Sequence, residues 1–88
     1  MRILNENDFS KLVFDVAKDN PDVIDVNVFG FNVDLIFDSR DGKTRWNAFL
    51  CFNAKSGRYE YFCPMQEAML PTRFGDQVQD RMRFMMTD

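Results

Sequence analysis

The chain contains no histidine. That absence removes the commonest general base and the commonest metal ligand together. Only two cysteines are present, Cys51 and Cys63, twelve positions apart and without the close pairing of zinc ligands, so no zinc site is expected. There is no Gly-rich phosphate loop, no nucleophile elbow and no pair of carboxylates set on one helix face. With those ingredients missing, neither an enzyme nor a bound cofactor is expected. Long hydrophobic runs are missing too. The longest, Ala48 to Phe52, is far too short to cross a membrane. The start, Met1-Arg2-Ile3-Leu4-Asn5-Glu6, has two consecutive apolar residues and does not read as a signal peptide. The expectation is a cytoplasmic protein with reduced thiols.

What is present is enough to fold. The 88 residues make one expected domain, 1–88, near the small end of what buries a core without a metal or disulfide. Ten Phe, two Tyr and one Trp help, because aromatic side chains bury more area per residue than aliphatic ones. The net charge of −3 is unevenly spread: −5 over residues 1–41 and +2 over residues 42–88. An acidic chain is repelled by phosphate backbones unless its bases gather in one patch.

Phe9, Leu12, Val13, Val16 and Ala17 recur at the helical repeat and predict a first helix with one apolar stripe. Asn5 is placed to cap it, Glu6 and Asp8 put negative charge in its first turn, and Asn20-Pro21 ends it. Leu4 and Phe9 are spaced for a hydrophobic staple.

From Val23 to Asp38 the apolar period changes to two, and its phase flips at Phe29-Gly30. One long strand with a bulge at Gly30 accounts for the flip, and a tight hairpin there is the alternative. Asp41-Gly42 is a strong hairpin turn. Centred there, the next strand pairs Phe37 with Trp46, Leu35 with Ala48, Val33 with Leu50 and Phe31 with Phe52, all on one face. A turn over Ala54–Gly57 leads to a strand from Arg58 to Cys63, aligned with Tyr59 by Phe52, Tyr61 by Leu50 and Cys63 by Ala48. A bulged three-residue turn is the alternative and would shift the register by one. The first register sets Cys51 and Cys63 on opposite faces, so they cannot bridge.

Residues 64–71 read as a connection with a helical turn through Gln66–Met69. A last helix from Thr72 or Asp76 to Met86 turns Phe74, Val78, Met82 and Met85 inward. The expected fold is α+β: a helix, a three-stranded antiparallel meander whose first strand is long and bulged at Gly30, and a C-terminal helix. Both helices should cover the sheet face bearing Trp46 and Leu50.

The other sheet face is left open. The register gives it Asp34, Ile36, Asp38, Arg45, Asn47, Phe49, Cys51, Arg58, Glu60 and Phe62, with Phe49 across from Phe62 and Asp38 across from Arg45. An apolar centre with a charged rim is interface anatomy, while ordinary cross-strand pairing on a half-exposed sheet accounts for the same residues. Glu60 beside Cys51 does not make a reactive thiol, since a carboxylate raises a thiol pKa. Phe84 points away from the core side of the last helix and, with Met86, forms a candidate second contact. Methionines there suit either an adaptable surface or an irregular core.

The helix–three-strand–helix order resembles the double-stranded-RNA-binding domain in topology. That family relies on a basic cluster opening its second helix and on a histidine-bearing loop. Here the helix start reads Thr72-Arg73-Phe74-Gly75-Asp76-Gln77 and histidine is lacking, so the resemblance carries no function. In size and acidity the chain is similar to the small inhibitors encoded by phages and mobile elements. The leading expectation is a non-enzymatic module that binds another protein, or a second copy of itself, through Ile36, Phe49, Phe62, Arg45, Arg58, Phe84 and Met86. A single-stranded RNA- or DNA-binding domain, stacking bases on Phe49 and Phe62 beside Arg45 and Arg58, is the first alternative. Asp34, Asp38 and Glu60 on the same face disfavour it. A homodimeric structural protein is the second alternative.

Overall fold

The computed structural model describes residues 4–38, 41–64 and 69–86, except the side chains of 60–64 and 69–70. Helix α1 spans Glu6–Lys18. Asn5, with φ −88° and ψ 166°, caps it as its Oδ1 accepts the Asp8 N–H at 2.8 Å. Phe9, Leu12, Val13 and Val16 form the buried stripe, and Leu4 joins them in the core. Just past the helix end Asn20 is buried, and its Nδ2 donates to the Val16 carbonyl at 2.7 Å.

The segment expected to be one long bulged strand is two strands, β1 (Val23–Phe29) and β2 (Asn32–Asp38). Gly30 has φ +61° and Phe31 keeps a negative φ, the pattern of a two-residue II′ hairpin turn, and Phe29 pairs with Asn32. The physical reason is hydrogen bonding. β3 (Arg45–Asn53) runs alongside residues 32–38 only, so a continuous strand would carry residues 23–29 past the sheet with no partner. Folding back supplies that partner and sets Val26 beside Leu35 and Val28 beside Val33. A bulge does occur in β1, at Ile24, between the Val23–Phe37 and Asp25–Ile36 pairs. The sheet therefore has four antiparallel strands in the order β1-β2-β3-β4. Four strands between two helices also departs from the helix–three-strand–helix order of the double-stranded-RNA-binding domain.

Between β2 and β3 the register agrees with the expected one at Phe37–Trp46, Leu35–Ala48, Val33–Leu50 and Asp38–Arg45. The Phe52 N–H also donates to the Phe31 carbonyl at 2.9 Å. β4 (Arg58–Pro64) starts in the expected register, with Asn53–Arg58 and Phe52–Tyr59 pairs. A bulge at Glu60 then shifts the rest by one residue. Cys51 pairs with Tyr61, Leu50 with Phe62, Phe49 with Cys63 and Ala48 with Pro64. This overturns the Tyr61–Leu50, Cys63–Ala48 and Phe49–Phe62 pairings. Tyr61 and Phe62 are both apolar enough to satisfy either alternation, so hydrophobic pattern alone does not select between the registers. Cys51 and Cys63 now occupy diagonal register positions instead of opposite faces, and diagonal pairs are too widely spaced for an unstrained disulfide.

Helix α2 spans Met69–Met86, opening before Thr72. Pro71 falls in its first turn, where no intrahelical N–H bond is lost. Of the helical turn expected through Gln66–Met69, residues 66–68 lie outside the described residues. Phe74, Val78, Met82 and Met86 are buried at a strict four-residue spacing. Met86, expected as a surface contact, is thus a core residue, while Met85 is partly exposed. Gly75 allows α2 to settle on the sheet: a Cβ there would meet Leu50 Cδ2 at 2.9 Å and Tyr59 Cε1 at 3.2 Å. α1 packs against β1, α2 against β4, and the two helices against each other. The buried apolar residues form one cluster between this helix pair and the sheet.

Candidate binding surfaces

Alternation leaves one sheet face open. Its described rows run Asp38–Arg45, then Asp25–Ile36–Asn47, then Asn27–Asp34–Phe49, then Phe29–Asn32–Cys51. Ile36 is half-buried between Asp25 and Asn47, and Phe49 is 36% exposed next to Asp34. Phe29, which the long-strand reading placed at a bulge, is 64% exposed at the hairpin end. The side chain of Phe62 lies outside the described residues, and its backbone pairs with Leu50, not Phe49. Asp25 and Asn47 flank Ile36, Asp34 lies beside Phe49, and Asn32 separates Phe29 from Cys51.

The two arginines assigned to this face do not meet. Arg45 opens β3, and its Nε lies 3.6 Å from Asp38 Oδ1. Arg58 pairs with Asn53, at the other end of the same strand. Eight residues of strand put them about 26 Å apart, at roughly 3.3 Å per residue. Cys51 is quiet: its Sγ–H donates to Asn32 Oδ1 at 2.6 Å, and its cross-strand neighbour is Tyr61, not Glu60.

The helix layer presents a different surface. Polar contacts stitch α2 to the chain just beyond α1, the two segments running in opposite directions. Arg73 approaches Asp22 at 3.8 Å, the Asn20 Nδ2 donates to Gln77 Oε1 at 2.8 Å, and Arg81 binds Asp19 at 2.8 Å. Where the stitching stops, a groove of about 310 Å³ opens between the helices, lined by Leu12, Asp15, Asp80, Arg81, Phe84 and Met85. Phe84 stands at its side with 82% of its surface exposed, pointing away from the core as its helical position predicts. Phe14 is also exposed, yet it does not line the groove. Leu12 and Met85 read as core residues in the sequence. The signal that could have flagged them is their position at the margins of two apolar stripes that end up side by side.

Tyr59 links α2 to the sheet from the other side. Its backbone N–H donates to Gln79 Oε1 at 2.9 Å, and its hydroxyl makes a long contact of 3.5 Å with Asp76 Oδ1. Burial, and then the Asp76 carboxylate, push its pKa above the ordinary 10.0. Among the described residues, no group of three or more cysteines and carboxylates is placed to hold a metal ion, and no helix is long and apolar enough to cross a membrane. Comparison with known proteins adds no relative: no family model, no curated protein and no solved structure matches the chain.

Proposed function

We propose that this protein is a non-enzymatic protein-binding module, of the kind that small acidic inhibitors and adaptors represent, and that its main contact is the groove between α1 and α2. One observation carries this reading: Phe84, 82% exposed, stands beside an apolar groove floored by Leu12 and Met85. Burying a phenylalanine contributes about 1.5–3 kcal/mol, and aromatic anchors seated beside a pocket dominate protein interfaces. The open sheet face offers Phe29, Phe49 and Ile36 as a weaker, divided surface, since Asp34, Asn27, Asn32 and Asn47 lie between them.

The test is co-purification from the cells that make the protein, with wild type, Phe84→Ser and Phe49→Glu compared. A stoichiometric partner retained by Phe49→Glu and lost from Phe84→Ser supports the groove. The reverse pattern moves the contact to the sheet. Single-stranded nucleic acid is the second reading, and the separation of Arg45 from Arg58 weighs against it. A low-salt gel shift that weakens on Arg45→Ala or Arg58→Ala would revive it.

A further inference from the structure

We propose that the groove between α1 and α2 receives a cationic amphipathic segment of a partner protein, an apolar anchor flanked by lysine or arginine. This rests on reading the groove as the binding surface. The floor is apolar, and Met85 gives it an adaptable wall. The charge of its lining decides the partner. Asp15, Asp80 and Arg81 line it, and Arg81 is already engaged by Asp19 at 2.8 Å. The ion pairs between described residues join Arg45 to Asp38, Arg73 to Asp22 and Arg81 to Asp19, and none takes up Asp15 or Asp80.

Helical spacing reinforces the sign. Asp15 falls along the same side of α1 as Leu12. Lys11 and Lys18 come one step further round toward Phe14, and neither lines the groove. With Arg81 taken up by Asp19, Asp15 and Asp80 leave the lining of the groove with a negative balance.

That sign separates the candidate occupants. A two-fold pairing of grooves would set Asp15 and Asp80 against the same residues of a second copy, on chains that each carry −3. Nucleic acid would bring phosphates to the same carboxylates. A volume of about 310 Å³ is at the floor of the size range of small-molecule pockets, about 300–1,000 Å³, and suits one or two anchoring side chains. A basic amphipathic segment satisfies the floor and the rim together, in the helix-in-groove manner.

The probes are a labelled amphipathic peptide of leucine and lysine and its counterpart with glutamate for lysine. They are titrated against wild type, Phe84→Ser and the double variant Asp15→Asn/Asp80→Asn by fluorescence anisotropy at physiological salt. The Leu/Lys peptide should bind wild type at least about tenfold more tightly than the Leu/Glu peptide, a difference of about 1.4 kcal/mol. The double variant should narrow that ratio to about threefold or less, about 0.6 kcal/mol, and Phe84→Ser should weaken both peptides. Methyl NMR shifts should concentrate on Leu12 and Met85. Equal binding of both peptides, still lost on Phe84→Ser, keeps the groove and overturns the cationic partner. Leu/Lys binding indifferent to Phe84→Ser, with shifts on the open sheet face, overturns the groove itself. A dimer in sedimentation equilibrium that Phe84→Ser splits gives the groove to a second copy and overturns the proposal. Phe84 is exposed, so the melting temperatures of these variants should match wild type closely enough to compare.

Discussion

Phe49 and Leu50 are neighbours on β3, and the sheet turns them to opposite sides. Leu50 is sealed under α2, close enough to Gly75 that a single added carbon would collide with it. Phe49 has the larger side chain, yet it remains 36% exposed beside Asp34 on the open face. The covered face is continuous: Val33, Leu35, Phe37, Ala48, Leu50 and Phe52 are all buried, and Phe9 meets Phe31 and Phe52 at ring-centroid distances of 5.0 and 5.4 Å. The open face interrupts its apolar residues with Asp25, Asp34, Asn32 and Asn47. The contrast shows that the size of an exposed aromatic says little by itself. Continuity with other apolar surface is what makes a contact, and the helix groove sets Phe84 beside Leu12 and Met85.

The sharpest way to break this contrast is to truncate both neighbours. Leu50→Ala should lower the unfolding free energy by about 3 kcal/mol, through lost burial and the cavity left behind. Phe49→Ser should cost no more than about 1 kcal/mol, because its site is partly solvated already. Urea unfolding of both variants checks this, and equal losses would mean that the open face is covered in solution.

Next in size is Gly75→Ala. Alanine is the better helix former by about 1 kcal/mol, yet the added carbon presses on Leu50 and Tyr59. Overpacking of this kind costs about 1–3 kcal/mol, so the variant should be less stable than wild type despite its propensity. A stabilised Gly75→Ala protein would show that α2 rides higher above the sheet than the structure has it.

The smallest expected effect is on pH. The folded-state pKa of Tyr59 lies above its ordinary 10.0, so the native state holds this proton more tightly than the unfolded chain does. The stabilisation is complete below about pH 10 and is lost as pH rises through the folded-state value. Melting temperatures taken from neutral to alkaline pH should fall more steeply for wild type than for Tyr59→Phe. Parallel curves would place the Tyr59 hydroxyl in free solvent.

The hydrophobic stripe and cap of α1, the β2–β3 register and the exposure of Phe84 are legible in the sequence because each follows from a local period or a single turn. The hairpin at Gly30 came second there, behind one long bulged strand: a bulge and a II′ turn both accommodate glycine and both flip the phase. Deciding between them needs the length of β3, which shows that a continuous strand would outrun its partner. The Glu60 bulge is less legible still, since Tyr61 and Phe62 suit either face. The groove is hardest to read. Its lining comes from two helices far apart in the chain, and no spacing within either helix announces that Leu12 and Met85 will meet.

By itself, then, the sequence determined the α+β class, the antiparallel meander and the residues that form most of the core, since apolar periodicity and turn chemistry act over a few residues. It also determined the acidic balance and the lack of histidine, which depend on composition alone. Only the tertiary structure decided that the sheet has four strands, that Phe49 faces Cys63 across the ladder, that Met86 is buried, and that Asp15 and Asp80 share a groove with Phe84. These depend on which elements find each other. That choice is made by the closure of backbone hydrogen bonds and the packing of distant side chains, and neither has a local signature.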